Sequence, residues 1–223
     1  MVRQRSLFDI VGPIMVGPSS SHTAGAVRLG LLARAVFGAT PQSARIGLHG
    51  SFASTGHGHG TDLALVAGLL GLAPDDLAIK DAHSLAKNAG LSVEIAEADL
   101  GAVHPNSVAF DLAGAGRPDV YIEGASLGGG VVVLTRIGAY EVEVTGELPM
   151  LLVAHLDQPG EIAAVTSVLA EEGVNIARMR VSRERRGAAA LMLIETDIQP
   201  SDMVLGLIAA APGITGVRVV PTV

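Results

Sequence analysis

From Met150 onward the apolar period of this chain switches in a fixed order, and few folds accept that order. "MLLVAHL" is an apolar run that predicts a buried strand. "GEIAAVTSVLAEEG" sets Ile162, Val165, Val168 and Leu169 on one helical face and stops at Gly173, glycine being the usual terminator. "VNIARMRVSR" alternates through Val174, Ile176, Met179 and Val181 as a strand, and "AAALMLIETD" follows a turn at Arg186 and Gly187 as another. "PSDMVLGLIAAAPG" is a helix with Pro200 at its start and Gly213 past its end. "ITGVRVVPTV" closes the chain as a strand. The order βαββαβ is that of a ferredoxin-like split-βαβ unit. Pro149 marks the break, which predicts one domain over residues 1–147 and a second over 148–223.

The first part mixes helices and strands. "AGAVRLGLLARAVFG" reads as a helix with Val27, Leu31, Leu32 and Ala35 inward. "ARIGLHGSF" is a strand, "TDLALVAGLLG" a helix capped at Gly60 or Thr61, and "DDLAIKDAHSLAKNAG" a helix ending at Gly90. "SVEIAEA", "SVAFDLAG", "PDVYIEGAS", "GVVVLTRIG" and "YEVEVTG" alternate as strands of a β-rich meander. The class is therefore α/β or α+β. Aromatic residues are 3% and tryptophan is absent, so the core rests on Ala, Val, Leu and Ile.

Composition excludes several functions. The net charge is −7, so counterion release gives no drive toward nucleic acid. The cluster of Arg183, Arg185 and Arg186 is interrupted by Glu184 and reads as a solvated loop. No cysteine is present, hence no disulfide and no thiolate metal site. Arg3, Arg5 and a following apolar run echo a signal peptide, but Asp9 and Pro13 interrupt it. No unbroken apolar run of about 20 residues is long enough for a bilayer. A soluble cytoplasmic protein with no membrane partner is expected.

Four stretches carry polar chemistry. "GPSSSHTAG", residues 17–25, sets Ser19, Ser20, Ser21, His22 and Thr23 just ahead of a helix. Backbone amides and the helix dipole make such a place an anion site. One Ser or Thr suffices for a cap; this stretch holds more than a cap needs. "GSFASTGHGHGTD", residues 50–62, reads as a glycine-rich loop that carries His57 and His59, with His49 just before it. Imidazoles titrate near neutrality and carry protons, or they bind metal; acid–base work is the preferred reading. "HPN" holds His104 and Asn106 beside each other across Pro105. "GASLGGG", residues 124–130, lacks the Lys-Ser/Thr of a phosphate-binding loop and fits a tight hairpin equally well.

These stretches, with "SLFDIVGPIMVGPSSSHTAGAVRLG", "GSFASTGHGHGTDLAL" and "VHPNSV", resemble the β subunit of the two-chain, iron–sulfur type of bacterial L-serine dehydratase. The resemblance spans essentially the whole chain. Within it, "HLDQPGEIAAVTSVLAEEGVNI" resembles an ACT domain, a small module that binds amino acids. The resemblance implies an α+β fold. Its N-terminal domain is similar to the allosteric substrate-binding domain of some phosphoglycerate dehydrogenases, and an ACT domain follows. It also implies an L-serine ammonia-lyase, giving pyruvate and ammonia. A [4Fe-4S] cluster acts in such enzymes as Lewis acid on the serine hydroxyl. Clusters of this kind require cysteine thiolates, so the cluster and its ligands are expected on a partner α subunit, with catalysis where the chains meet.

On the family pattern, Ser19, Ser20, Ser21 and Thr23 bind the substrate carboxylate, His22 and His59 exchange protons, and His104 and Asn106 orient substrate or the histidines. Which histidine is acid and which base is left open. His155, Asp157 and Asn175 match the regulatory ligand contacts of serine-binding ACT domains. Many such domains carry Asn at the place of Asp157, and Asp157 with Pro159-Gly160 alternatively makes the turn and caps the helix. The family usually carries Lys where His57 stands. ACT domains pair side by side, so homodimerisation through this domain is expected. Three competing readings remain: an amino-acid sensor without chemistry, a mononuclear metalloenzyme on His49, His57 and His59, and a scaffold for the α chain.

Overall fold

The computed structural model describes residues 14–223; the Arg3, Arg5, Asp9 and Pro13 segment lies outside the described residues. The described residues divide into two compact units, one running to Gly138 and including 142–145, the other holding 139–141 and 146–223.

The first unit is a sheet with helices over one face. It opens with a π-turn at Ser20–Ala24 that runs directly into α1, Gly25–Phe37. There follow β1 (Ser43–Leu48), α2 (Ser51–His59), α3 (Thr61–Leu70), a 3₁₀ turn at Leu77–Asp81 and α4 (Ala82–Asn88). The strands β2 (Ser92–Glu97), β3 (Ser107–Ala113), β4 (Val120–Gly128), β5 (Val131–Ile137) and β6 (Tyr140–Val144) complete it. The sheet order is β2-β1-β3-β4-β5-β6. The expected meander holds for β3 to β5, each antiparallel to the next, with β6 beside β5. β2 departs from it and lies parallel to β1, with Ser43 opposite Ser92 and Leu48 opposite Glu97. The helical segment between them is the reason, since a crossover returns the chain in the same direction.

Side-chain alternation sets the layers. β1 buries Ala44, Ile46 and Leu48 and turns Ser43 and Arg45 out. Helix α1 buries Val27 and Leu32 as expected, but Leu29, Ala33 and Val36 complete the buried face while Leu31 and Ala35 are half-buried. The reason is a second helix: α3 crosses α1 at Gly30 and Gly68, where an added Cβ on either would run into backbone of the other. The apolar stripe of α1 therefore wraps further round than a single sheet contact requires.

The second unit contains β7 (Met150–Leu156), α5 (Glu161–Glu171), β8 (Ile176–Arg183), β9 (Ala189–Thr196), α6 (Asp202–Ala209) and β10 (Ile214–Val220). This is the expected βαββαβ order, closed into a sheet β10-β7-β9-β8 with every neighbouring pair antiparallel. Leu151, Val153, Val165, Leu169, Met192, Ile194, Val204 and Ile208 form its core. Ile162, assigned by periodicity to the inner face of α5, is instead exposed. It sits in the first turn of α5, beyond the apolar cluster.

Candidate functional site

The site is built where three chain segments of the first unit converge. The π-turn supplies the first. Its amide at Gly25 donates to the carbonyl of Ser20, five residues back, which is the π pattern. Ser19 caps the turn, and its Oγ accepts from the His22 amide at 3.1 Å. The wider turn swings the His22 ring away from the α1 barrel and toward α2.

Helix α2 supplies the second segment. Residues 51–59 were expected as a loop because Gly56 and Gly58 each cost about 1 kcal/mol against a helix. They are helical instead, between Gly50 and Gly60, whose φ angles are +56° and +67°. Gly56 is buried against Thr61 of α3, where a side chain would crowd. Tertiary packing thus overrides propensity. Gly60, not Thr61, precedes α3. The helical pitch puts Ser51, Thr55 and His59 on one face, four residues apart.

His22 meets that face. Its Nε2 lies 3.2 Å from Ser51 Oγ and 3.1 Å from Thr55 Oγ1, and its Nδ1 lies 3.4 Å from Ser19 Oγ. Its ring centroid is 5.1 Å from that of His59, tilted 48°, and 5.2 Å from that of Phe52, edge-on. Burial and the neighbouring His59 hold the pKa of His22 below the ordinary 6.5, against a smaller opposing effect of the Ser51 backbone. Thr23 is buried, and its hydroxyl donates to the His59 carbonyl at 3.3 Å. His59 Nδ1 is buried and finds no hydrogen-bond partner among the described residues.

The third segment is the loop into β3. Ser51 donates its amide to the Pro105 carbonyl at 2.8 Å. His104 is exposed, and its Nδ1 accepts from the Asn106 amide at 3.1 Å. Asn106 is tied to β4: its Nδ2 donates to Ser126 O at 3.3 Å, and its carbonyl accepts from the Ser126 amide at 3.0 Å. His104 and Asn106 are brought to the neighbourhood of α2, but no hydrogen bond joins either to His22 or His59 among the described residues. Ser126 is fully buried, its Oγ lacks a partner among the described residues, and it lies against Gly25. The "GASLGGG" stretch is therefore the β4–β5 hairpin that the π-turn rests upon. Arg28 fixes this hairpin by donating to the Gly130 carbonyl at 2.6 Å.

Ser51, Phe52, Thr55 and Ser126 are site-wall residues that the sequence reading missed. Had residues 51–59 been read as helix, the four-residue spacing of Ser51, Thr55 and His59 was the available signal. The Nδ1 atom of His49 accepts from the Leu100 amide at 3.2 Å, which fixes the loop after β2. Among the described residues, no three His, Cys, Asp or Glu side chains are grouped to share an ion. The side chain at position 57 is outside what the structure describes.

In the second unit, the Asp157 carboxylate accepts from the Gly187 amide and from Arg183 Nη1, each at 2.9 Å. Those two contacts hold its pKa below the ordinary carboxylate value, the Gly187 amide contributing most. It does not cap α5, which has no side-chain cap. The arginine cluster is correspondingly not only solvated loop, since Arg183 ends β8 in this ion pair. Asn175 Nδ2 donates to Asp197 Oδ2 at 2.7 Å. His155 is buried; its Nδ1 donates to the Leu156 carbonyl at 2.7 Å, and its Nε2 has no partner among the described residues.

Comparison with known proteins gives the family of the chain. A family profile described as the serine dehydratase beta chain matches residues 6–111, and the ACT domain profile matches residues 150–212. A probable L-serine dehydratase beta chain of Bacillus subtilis (strain 168) is 40% identical over 213 residues, 96% of each chain. The chain belongs to the serine dehydratase beta-chain family. Another similar member is the L-serine dehydratase beta chain of Peptoniphilus asaccharolyticus, 39% identical over 193 residues, 86% of this chain and 87% of that one. Similarity extends to D-3-phosphoglycerate dehydrogenase 3 of Arabidopsis thaliana, 41% identical over 85 residues, 38% of this chain and 14% of the plant protein. The α+β class and the ACT assignment follow for this family member.

Proposed function

We propose that this chain is the β subunit of an L-serine ammonia-lyase, with residues 1–147 its dehydratase domain and 148–223 its ACT domain. The observation that carries the reading is the His22–His59 pair, rings 5.1 Å apart, set among hydroxyls in a family of serine dehydratase beta chains. The reaction removes water from L-serine. The resulting aminoacrylate tautomerises and hydrolyses to pyruvate and ammonia.

The residues here suit half of that task. Ser20 and Ser21 make no side-chain hydrogen bond among the described residues and are placed at the entry of the π-turn to hold a carboxylate. Ser19 and Thr23 spend theirs on shaping the turn and on His59. His104 and Asn106 orient the approach from the β3 side. Burial and the neighbouring His59 keep His22 neutral at pH 7, the form that accepts the Cα proton. His59 then serves the departing oxygen. A [4Fe-4S] cluster does not fit this chain: its sequence has no cysteine, and the site offers only imidazoles and hydroxyls. The cluster belongs to a cysteine-bearing α subunit, and no step of the present chain is assigned to it. The ACT domain regulates by amino-acid binding through His155, Asp157 and Asn175, pairs with a second copy, and must open the Asp157–Arg183 and Asn175–Asp197 contacts to use those side chains. Among the described residues no helix is long and apolar enough to cross a membrane; we place the enzyme in the cytoplasm.

The test is anaerobic pyruvate formation from L-serine by this chain, by the α chain and by the mixture. Activity confined to the mixture is expected. An assembled, cluster-loaded mixture that binds serine without forming pyruvate favours the sensor reading.

A further inference from the structure

The hydrogen bonds around His22 distinguish its two ring nitrogens. Thr55 Oγ1 has one hydrogen, and that hydrogen goes to the Ser51 carbonyl at 2.8 Å. Toward His22 Nε2, 3.1 Å away, Thr55 therefore offers a lone pair. A bare Nε2 would face that lone pair in repulsion; an Nε2–H donates to it. The Ser51 backbone favours the charged ring, as a carbonyl near an N–H does. Ser51 Oγ, at 3.2 Å, has a lone pair for the same hydrogen and can turn its own toward Thr55 Oγ1 at 3.5 Å. On the other side of the ring, Ser19 Oγ accepts the His22 amide at 3.1 Å and has its own hydrogen free to turn to Nδ1 at 3.4 Å. Thr55 is the contact that discriminates, and the Ser19 and Ser51 hydroxyls accommodate the same arrangement.

We infer that Ser51 and Thr55 hold His22 in its Nε2–H tautomer, which makes Nδ1 the proton-accepting atom and Ser19 the hydroxyl that Nδ1 polarises. Thr55 is then a positioning residue, acting through His22. The inference rests on the proposed proton-transfer role of His22 only for its consequence in catalysis; the tautomer itself is argued from the Thr55 contact. It also narrows where substrate must lie. The Cα proton reaches His22 from the Ser19 side, at the mouth of the π-turn, and not from the α2 face.

Two measurements on the full-length chain decide it. Long-range ¹H–¹⁵N correlation spectra of the histidine rings at pH 8, with His22 assigned by its loss in His22→Gln, read the tautomer without any turnover. A bare Nδ1 and a protonated Nε2 are expected; a protonated Nδ1 overturns the inference, whatever the activity of the enzyme. Thr55→Val, which keeps shape and removes the acceptor, is expected to mix the tautomers and to lower kcat of the assembled enzyme about tenfold, the effect of one lost hydrogen bond. KM stays within twofold, and Thr55→Ser restores both the spectrum and kcat. Unchanged ring spectra in Thr55→Val would contradict the positioning role of Thr55. If instead the spectra follow expectation and His22→Gln retains full turnover, the tautomer stands and the catalytic reading fails.

Discussion

The two candidate sites of this chain differ in what their polar groups are already doing. In the first unit, His22 and His59 lie side by side, and His59 Nδ1 and Ser126 Oγ are buried without partners among the described residues. In the second unit, Asp157 and Asn175 are engaged inside the chain by Gly187, Arg183 and Asp197, while His155 Nε2 and Glu161 Oε2 lack partners among the described residues. A buried polar atom without a partner costs free energy, so the free Nδ1 of His59, beside His22, is a place where a bound group would be stabilised. On the proposed function, the first unit holds the reacting groups. In the second, the carboxylate and amide of Asp157 and Asn175 are already occupied within the chain.

The contrast can be broken most sharply at His59. His59→Ala in the assembled enzyme should lower turnover by about two to four orders of magnitude, the range for a lost acid–base group, with assembly and cluster content unchanged by size-exclusion and iron analysis. Turnover near wild type would remove the distinction between the units. A smaller effect is expected where the π-turn rests on β4. A Cβ on Gly25 would overlap the Ser126 side chain. Gly25→Ala should cost about 1–3 kcal/mol in denaturant unfolding, and Gly25→Ala with Ser126→Gly should recover part of it. No recovery would mean the contact is not what limits that position.

Acid should also separate the units. His22 resists protonation when folded, so between its ordinary 6.5 and its lower folded value the unfolded chain binds the extra proton. Its contribution is present in full above pH 6.5 and is lost as pH falls through the folded pKa. His22→Gln should flatten that part of the stability profile of the chain; an unaltered slope would speak against the lowered pKa. The Asp157 carboxylate is also depressed, so its contribution is lost only further down, below the ordinary carboxylate range. The smallest change belongs to Asp157→Asn. It should leave the melting temperature nearly unmoved while the Gly187 amide exchanges faster with solvent. Unchanged exchange would show that the carboxylate does not hold the β8–β9 turn.

How much of this was legible depended on whether a residue's role was local. The βαββαβ order was readable because each element carries its own period and its own stop, as Gly173 and Gly213 show. His22 and His59 were readable as chemistry-bearing types. Their partners were not. Ser51 and Thr55 become neighbours of His22 only if residues 51–59 are helical, and the glycines there argue locally for a loop. Packing of Gly56 on Thr61 decides the matter, and that contact is tertiary. The parallel placement of β2 was hidden for the same reason, since strand alternation carries no direction. Likewise, nothing near Asp157 in sequence indicates that Arg183 and Gly187 will occupy it.

The central claim is that this cysteine-free chain supplies the proton-transfer groups for a reaction whose cluster lies elsewhere. The measurement that tests it most directly is the kcat of the cluster-loaded αβ enzyme carrying His22→Ala, assayed anaerobically beside the wild type at equal iron content. The account predicts a fall of at least about a hundredfold with the cluster spectrum unchanged. Turnover within twofold of wild type, or a loss that tracks loss of iron, would contradict it.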